Sequence, residues 1–183
     1  MFSFIREFIK HPRRIGAIAP SGKALAKKMM VPIDFQRAEC IVEYGPGTGS
    51  FTREIIKRKK DDTVLLLVEQ NPVFCQRMRQ EYGKVPNVFV IEGSAEKVEE
   101  CLEQHEQNFA DYIVSGLPFT SLPGELSDSI LRATKKAIGA RGLFIIFQYS
   151  LVKRSFFERH FRIADTIREP HNLPPAYVLI MKA

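Results

Sequence analysis

An apolar run that ends in an acid breaks into three alternate glycines, Ile41-Val42-Glu43-Tyr44-Gly45-Pro46-Gly47-Thr48-Gly49, and helix-forming Ser50-Phe51-Thr52 follows at once. A strand that stops in such a turn brings bare backbone close to a ligand, an approach that any Cβ obstructs. Twenty-six residues beyond Glu43 a second apolar run, Val64-Leu65-Leu66-Leu67-Val68, ends in another acid, Glu69, followed by Gln70. A glycine turn beside an acid-tipped second strand is the layout of a nucleoside-cofactor site, the second acid accepting from ribose hydroxyls. The pyrophosphate spacing is G-x-G-x-x-G. Here the third glycine comes one residue early, which counts against a dinucleotide.

Strand and helix signals alternate along the rest of the chain. Strands are predicted at 40–43, 63–69, 88–91, 112–115 and 143–149, with two more at 162–168 and 176–181. Between them lie helices at 50–59, at 71–82 (opened by Asn71-Pro72 and stopped by Gly83), at 94–104, at 124–138 and around 152–159. Such alternation argues for a doubly wound α/β fold. The last two strands share a short Pro-containing link. The expectation is a Rossmann-like, mostly parallel seven-stranded sheet with one antiparallel strand near the C-terminus, plus N-terminal helices. Residues 33–183 would form the catalytic domain and residues 1–32 an arm, within a single domain overall.

The arm differs in charge from everything after it. The first thirty residues hold seven Lys or Arg against one Glu, and so account for the whole net charge of +6. Phe2, Phe4, Ile5, Phe8 and Ile9 form one apolar sector at helical spacing up to Pro12, and Ser21 is placed to cap a second helix over 22–30. A neutral domain with one basic arm suggests an anionic surface as partner of residues 1–28, either phospholipid or nucleic acid. The alternative is that the apolar sector packs on the domain as a lid. Cys40, Cys75 and Cys101 have no metal-type spacing and read as reduced, buried thiols, so no metal is expected. With neither an export signal nor a membrane-spanning run in view, the chain is expected in the cytoplasm.

The pattern E-x-G-x-G-x-G resembles motif I of class I S-adenosylmethionine-dependent methyltransferases. That resemblance implies S-adenosylmethionine as cofactor. Glu43, Tyr44, Gly45, Gly47 and Gly49 would lie along its methionine and ribose, and Glu69 and Gln70 at the ribose. The turn Glu92-Gly93-Ser94-Ala95 resembles the family's G-D-A motif beside the adenine, with Ser94 where an acid is usual, and Ser115 closes the set.

The acceptor is indicated in two places. Ribosomal RNA adenine dimethylases carry Asn-Leu-Pro-Tyr after the fourth strand, where the Asn side chain accepts a hydrogen bond from the target amine and the aromatic ring stacks on the flipped base. Ser115-Gly116-Leu117-Pro118-Phe119 is similar, but Gly116 has no side chain to accept that bond. The run from Pro12-Arg13-Arg14 to Ala19-Pro20-Ser21 resembles the N-terminal signature of bacterial phospholipid N-methyltransferases. So do Ser115-Gly116-Leu117-Pro118-Phe119-Thr120-Ser121-Leu122-Pro123, Tyr149, and Asn172-Leu173-Pro174-Pro175-Ala176. The resemblance implies a phosphatidylethanolamine-type acceptor at the inner face of the membrane. Arg13, Arg14, Gly116, Leu117 and Pro118 would then face substrate. Tyr149, His171, Tyr44 and Glu43 are candidates to help the amine lose a proton, and Phe119 and Tyr149 would flank a nitrogen gaining charge. Core packing for the tyrosines and a surface position for His171 are the alternatives. RNA adenine methylation and a non-catalytic, membrane-docking module also stand open.

Overall fold

A computed structural model describes residues 22–183. The amphipathic segment 1–10, the cap expected at Ser21, and Arg13 and Arg14 lie outside the described residues. The elements in chain order are α1 (Lys23–Met30), β1 (Cys40–Tyr44), α2 (Ser50–Ile56), β2 (Val64–Glu69), α3 (Pro72–Tyr82) and β3 (Val88–Glu92). After a 3₁₀ turn at Ala95–Lys97 come α4 (Val98–Gln104), β4 (Ala110–Ser115), α5 (Gly124–Ala137), β5 (Ile138–Gln148), α6 (Arg154–Glu158), β6 (Arg162–Glu169) and β7 (Ala176–Lys182).

The seven strands form one sheet in the order β3-β2-β1-β4-β5-β7-β6. All neighbours are parallel except that β7 runs antiparallel to both β5 and β6, the single reversed strand that the sequence indicates. Central strands of a parallel sheet are buried on both faces, and β1 has no exposed residue. Strand alternation divides the core in two. Val42, Tyr44, Ile113, Phe144 and Ile146 pack toward α4 and α5. Ile41, Leu65, Leu67, Ile145 and Phe147 pack toward α1 and α2. Because Leu25, Ala26, Met29 and Met30 of α1 are buried in that second half, α1 is built into the same core as the strands.

Three local expectations are corrected. Helix α2 stops at Ile56 rather than at 59, and Lys59 turns back to donate to the carbonyls of Lys60, Thr63 and Pro86. Gly83 ends α3 in right-handed geometry (φ −64°), and not in the left-handed conformation of a usual glycine stop. What requires glycine there is space, since a Cβ would collide with the Arg79 carbonyl. Strand β5 begins at Ile138, five residues earlier than the glycine-rich Gly139–Gly142 segment suggests. A Cβ on Gly142 would lie 2.9 Å from the Asp111 carbonyl oxygen, so this glycine marks close strand approach rather than a loop.

Candidate functional site

The register Tyr44↔Ser115 sets the tips of β1 and β4 side by side at the carboxyl edge of the sheet, where open α/β sheets bind ligands. The turn after Tyr44 is held left-handed at all three glycines, with φ of 60° at Gly45, 52° at Gly47 and 77° at Gly49. An L side chain at any of them would cost roughly 1–2 kcal/mol in backbone strain. Glu69 at the tip of β2 pins the turn from the side. Its Oε2 accepts from the Gly47 N–H at 3.1 Å and its Oε1 from the Asn71 N–H at 2.9 Å. Burial pushes the Glu69 carboxyl up, while those amides and that of Gln70 pull it back. Each oxygen keeps a lone pair for a further donor. From α2, Arg53 closes the far end of the turn by donating to the Thr48 carbonyl at 3.0 Å.

Glu43 is completely buried beneath the turn. Thr52 Oγ1 donates to its Oε2 at 2.8 Å, and its Oε1 has no hydrogen-bond partner among the described residues. Desolvation raises its pKa to about 8, and the nearby Glu69 charge adds to the rise. Two acids thus flank a backbone cradle, one with an unanswered oxygen. This donor set suits a ligand that is cationic and carries hydroxyls.

The loop after β4 docks directly on that cradle. The Gly116 N–H donates to the Tyr44 carbonyl at 2.8 Å, and a Cβ on Gly116 would come within 2.7 Å of the Gly45 carbonyl oxygen. The missing side chain at 116 is therefore a packing requirement of this turn. Buried Ser115 shapes the same loop, its Oγ accepting from the Leu117 N–H at 3.1 Å, and Leu117 and Pro118 are half-buried beside it.

The other residues singled out from the sequence fall into two groups. Gln70 is exposed at the β2 tip, and Ala95 is buried at the start of the 3₁₀ turn. Ser94 caps that turn, accepting from the Glu96 N–H and donating to the Glu96 carboxylate. Tyr149 is half-buried just past β5, where burial pushes its phenol up and an Asn172 hydrogen bond opposes the rise. His171 lies at the same edge with its ring 87% exposed, 3.3 Å from buried Glu169. The second group turns inward. Tyr44 is fully buried; since the Thr134 hydroxyl donates to the Ile130 carbonyl, Tyr44 donates to Thr134 Oγ1 at 3.2 Å, away from the turn. Its phenol is raised further by burial, so it is no base at neutral pH. Phe119 has no exposed surface and packs edge-on against Phe144 and Phe157 at centroid distances of 6.3 and 5.6 Å. Here the ring holds the β4 loop to the core and has no face free to flank a substrate.

Several contributors escape a sequence reading. Thr52 is nine residues from Glu43, a hydroxyl in the first turn of the helix that follows the acid, and that spacing was its available signal. Lys153 donates to the Phe119 and Thr120 carbonyls at 3.1 and 3.2 Å, tying the loop after β5 to the loop after β4. Asn172 in the β6–β7 loop accepts from the Gly22 N–H at 3.1 Å and donates to the Pro174 carbonyl at 2.7 Å. The Lys153 contacts have no local sequence signature, because both partners are remote in the chain; Asn172 stands in a motif that the sequence marks, but its bond to distant Gly22 is invisible there. Among the described residues there is no cluster of metal-ligating side chains, and no helix is long and apolar enough to cross a membrane.

The family model for ribosomal RNA adenine dimethylase matches residues 22–163. An ornithine lipid N-methyltransferase from Singulisphaera acidiphila is 34% identical over 96% of this chain and 92% of its own length. A probable ribosomal RNA small subunit methyltransferase A from Methanosarcina acetivorans is 27% identical over 69% of this chain and 41% of its own length. Among solved structures, the N-methyltransferase NodS from Bradyrhizobium japonicum in complex with S-adenosyl-L-homocysteine superposes with a TM-score of 0.71. It covers 99% of this chain and 96% of its own at 10% identity, a likeness of fold alone.

Proposed function

Because the chain belongs to the ribosomal RNA adenine dimethylase family of S-adenosylmethionine-dependent methyltransferases, we propose that it methylates the amino headgroup of a phospholipid at a membrane surface. S-adenosylmethionine, when bound, supplies a methyl group on a positively charged sulfur. The residues present fit it: the left-handed turn of Gly45, Gly47 and Gly49 projects no side chain toward a ligand, Glu69 has spare lone pairs for ribose hydroxyls, and Glu43 has an unanswered oxygen near a cationic end. Gln70, Ser94 and Ala95 would line the nucleoside side.

The observation that carries the lipid reading is the hydrogen bond from the Gly22 N–H to Asn172. It holds Gly22, the first described residue, at the β6–β7 loop. That loop lies on the same sheet edge as the glycine turn, because β6 runs parallel to β5. Two loop tips on this edge carry side chains left 87% exposed, Val152 after β5 and Leu173 before β7. A basic sequence leading into Gly22, together with apolar tips on this edge, suits a bilayer interface, with Lys and Arg contributing about 1 kcal/mol each against an anionic leaflet. Arg13 and Arg14 would meet lipid phosphates.

The acceptor amine must be neutral to attack, because its lone pair would form the new N–C bond to the methyl group that the bound cofactor would supply, its C–S electrons leaving with sulfur. The nitrogen becomes positive and then releases a proton to water. Catalysis is chiefly alignment. Gly116, Leu117 and Pro118 shape the acceptor's approach, and Tyr149, neutral at physiological pH, would orient the amine through its hydroxyl. The family match itself favours RNA adenine as the second reading. Incubation with methyl-labelled cofactor and separate total lipid and RNA extracts decides between them. Label in an aminophospholipid is the expected result, and label confined to RNA overturns the lipid reading.

A further inference from the structure

Gln148 is the last residue of β5, at the carboxyl edge, beside the loop that follows β4. Its side chain shares a face of the sheet with Phe144 and Ile146, the half of the core that also holds Tyr44 and Phe119. It is only 4% exposed, and its amide oxygen has neither solvent contact nor a hydrogen-bond partner among the described residues. An unpaired carbonyl in so apolar a place opposes folding. A hydrophobic side chain of the same size would be better tolerated there, so the amide calls for a partner from outside the described residues.

We propose that Gln148 is an acceptor-binding residue, its Oε1 taking the hydrogen bond from the N–H of the amine to be methylated. The inference rests on the amine-methylation reading above. In adenine enzymes of this fold, an Asn after the fourth strand holds the target amine. Here Gly116 occupies that place and is barred from carrying a side chain by the Gly45 carbonyl. Gln148 offers an amide carbonyl from the adjacent strand. The loops after β4 and β5, joined by Lys153, carry half-buried Leu117, Leu122 and Leu151, and the amine reaches Gln148 between them. A carbonyl dipole on the N–H leaves the nitrogen lone pair free to attack. The bond also strengthens as the nitrogen gains charge, so it favours the transition state over the bound substrate.

The test uses the full chain and Gln148→Met, which keeps length and volume but removes the acceptor, beside Gln148→Glu, which keeps a carboxyl oxygen. Methyl transfer is followed on vesicles of phosphatidylethanolamine with phosphatidylglycerol and, separately, on total RNA. On whichever acceptor the wild type uses, Gln148→Met should lose roughly 10- to 100-fold in kcat/KM. S-adenosyl-L-homocysteine affinity should be unchanged, the Tm equal or higher, and Gln148→Glu should recover part of the loss. Wild-type turnover by Gln148→Met overturns the proposal, as does a lowered Tm with weakened cofactor binding, the mark of a structural amide. If the wild type labels neither substrate, the phospholipid and RNA readings both fail. The Tm still bears on Gln148 in that case, a rise supporting a ligand role and a fall refuting it.

Discussion

Replacing Glu43 by Gln should change how stability depends on pH more than stability itself. The carboxyl is raised from 4.5 to about 8 by complete burial. A folded-state pKa above the unfolded one means the native protein holds a proton that the unfolded chain releases. Its favourable contribution is complete below the unfolded value and is lost as pH rises through the folded one. At about 1.4 kcal/mol per pH unit of separation, the full span corresponds to about 5 kcal/mol. Between about pH 5 and pH 7 the wild type should lose about 2–3 kcal/mol from this group alone. The Gln variant, neutral throughout, should lose none of it. The two proteins should therefore match within about 1 kcal/mol near pH 5, and the variant should be the more stable at pH 7 by that difference, roughly 5–10 °C in Tm for a chain of this size. Urea titrations of both proteins at a series of pH values, without cofactor, read the effect directly. Parallel profiles would refute the reasoning, because Glu43 would then ionise in the folded state without penalty. A cationic ligand beside the carboxyl should lower its pKa, so wild-type cofactor binding near neutral pH should release protons. Calorimetry in buffers of differing ionisation enthalpy detects this, and Glu43→Gln should abolish it.

Gly116→Ala forces a methyl against the Gly45 carbonyl, a contact of 2.7 Å. It should cost about 1–3 kcal/mol in stability and weaken S-adenosyl-L-homocysteine at least about tenfold by calorimetry; unchanged affinity would show that the two loops move independently. Lys153→Met removes the tie between the loops after β4 and β5, so amide exchange at residues 117–122 should accelerate with a stability loss of about 1 kcal/mol. Tyr149→Phe, losing one orienting hydroxyl, should slow turnover by about tenfold. His171→Ala, at an exposed ring, should stay within about twofold of wild type; if both variants match it, neither side chain serves the reaction.

The succession of strands and helices along the chain, the reversed β7 and the acid-bounded glycine turn were legible because each is written in local periodicity and spacing. Glu43 and Glu69 could be marked for the same reason, each being the polar end of an apolar run. What sequence hid was set by contacts between distant segments. Phe119 after Leu117-Pro118 looks like a stacking ring, and only its burial by Phe144 and Phe157 reveals it as core. Tyr44 lies within the motif, yet strand alternation turns it toward Thr134. Gly116 reads as a lost function until the Gly45 carbonyl is seen against it. Gln148, flanked by Phe147 and Tyr149, gives no sign in sequence that its amide is buried unpaired.

The meeting of Gly116 with the Gly45 carbonyl has a consequence for how such enzymes diversify. Any side chain at 116 demands that the donor-binding turn retreat, so a change of acceptor at that position cannot be a solitary mutation. Drift toward an Asn there is blocked unless the turn shifts first, and a shifted turn would handicap every acceptor at once. A new acceptor specificity should therefore enter through neighbouring strand ends such as Gln148, where a substitution leaves the contact between Gly116 and the donor-binding turn untouched.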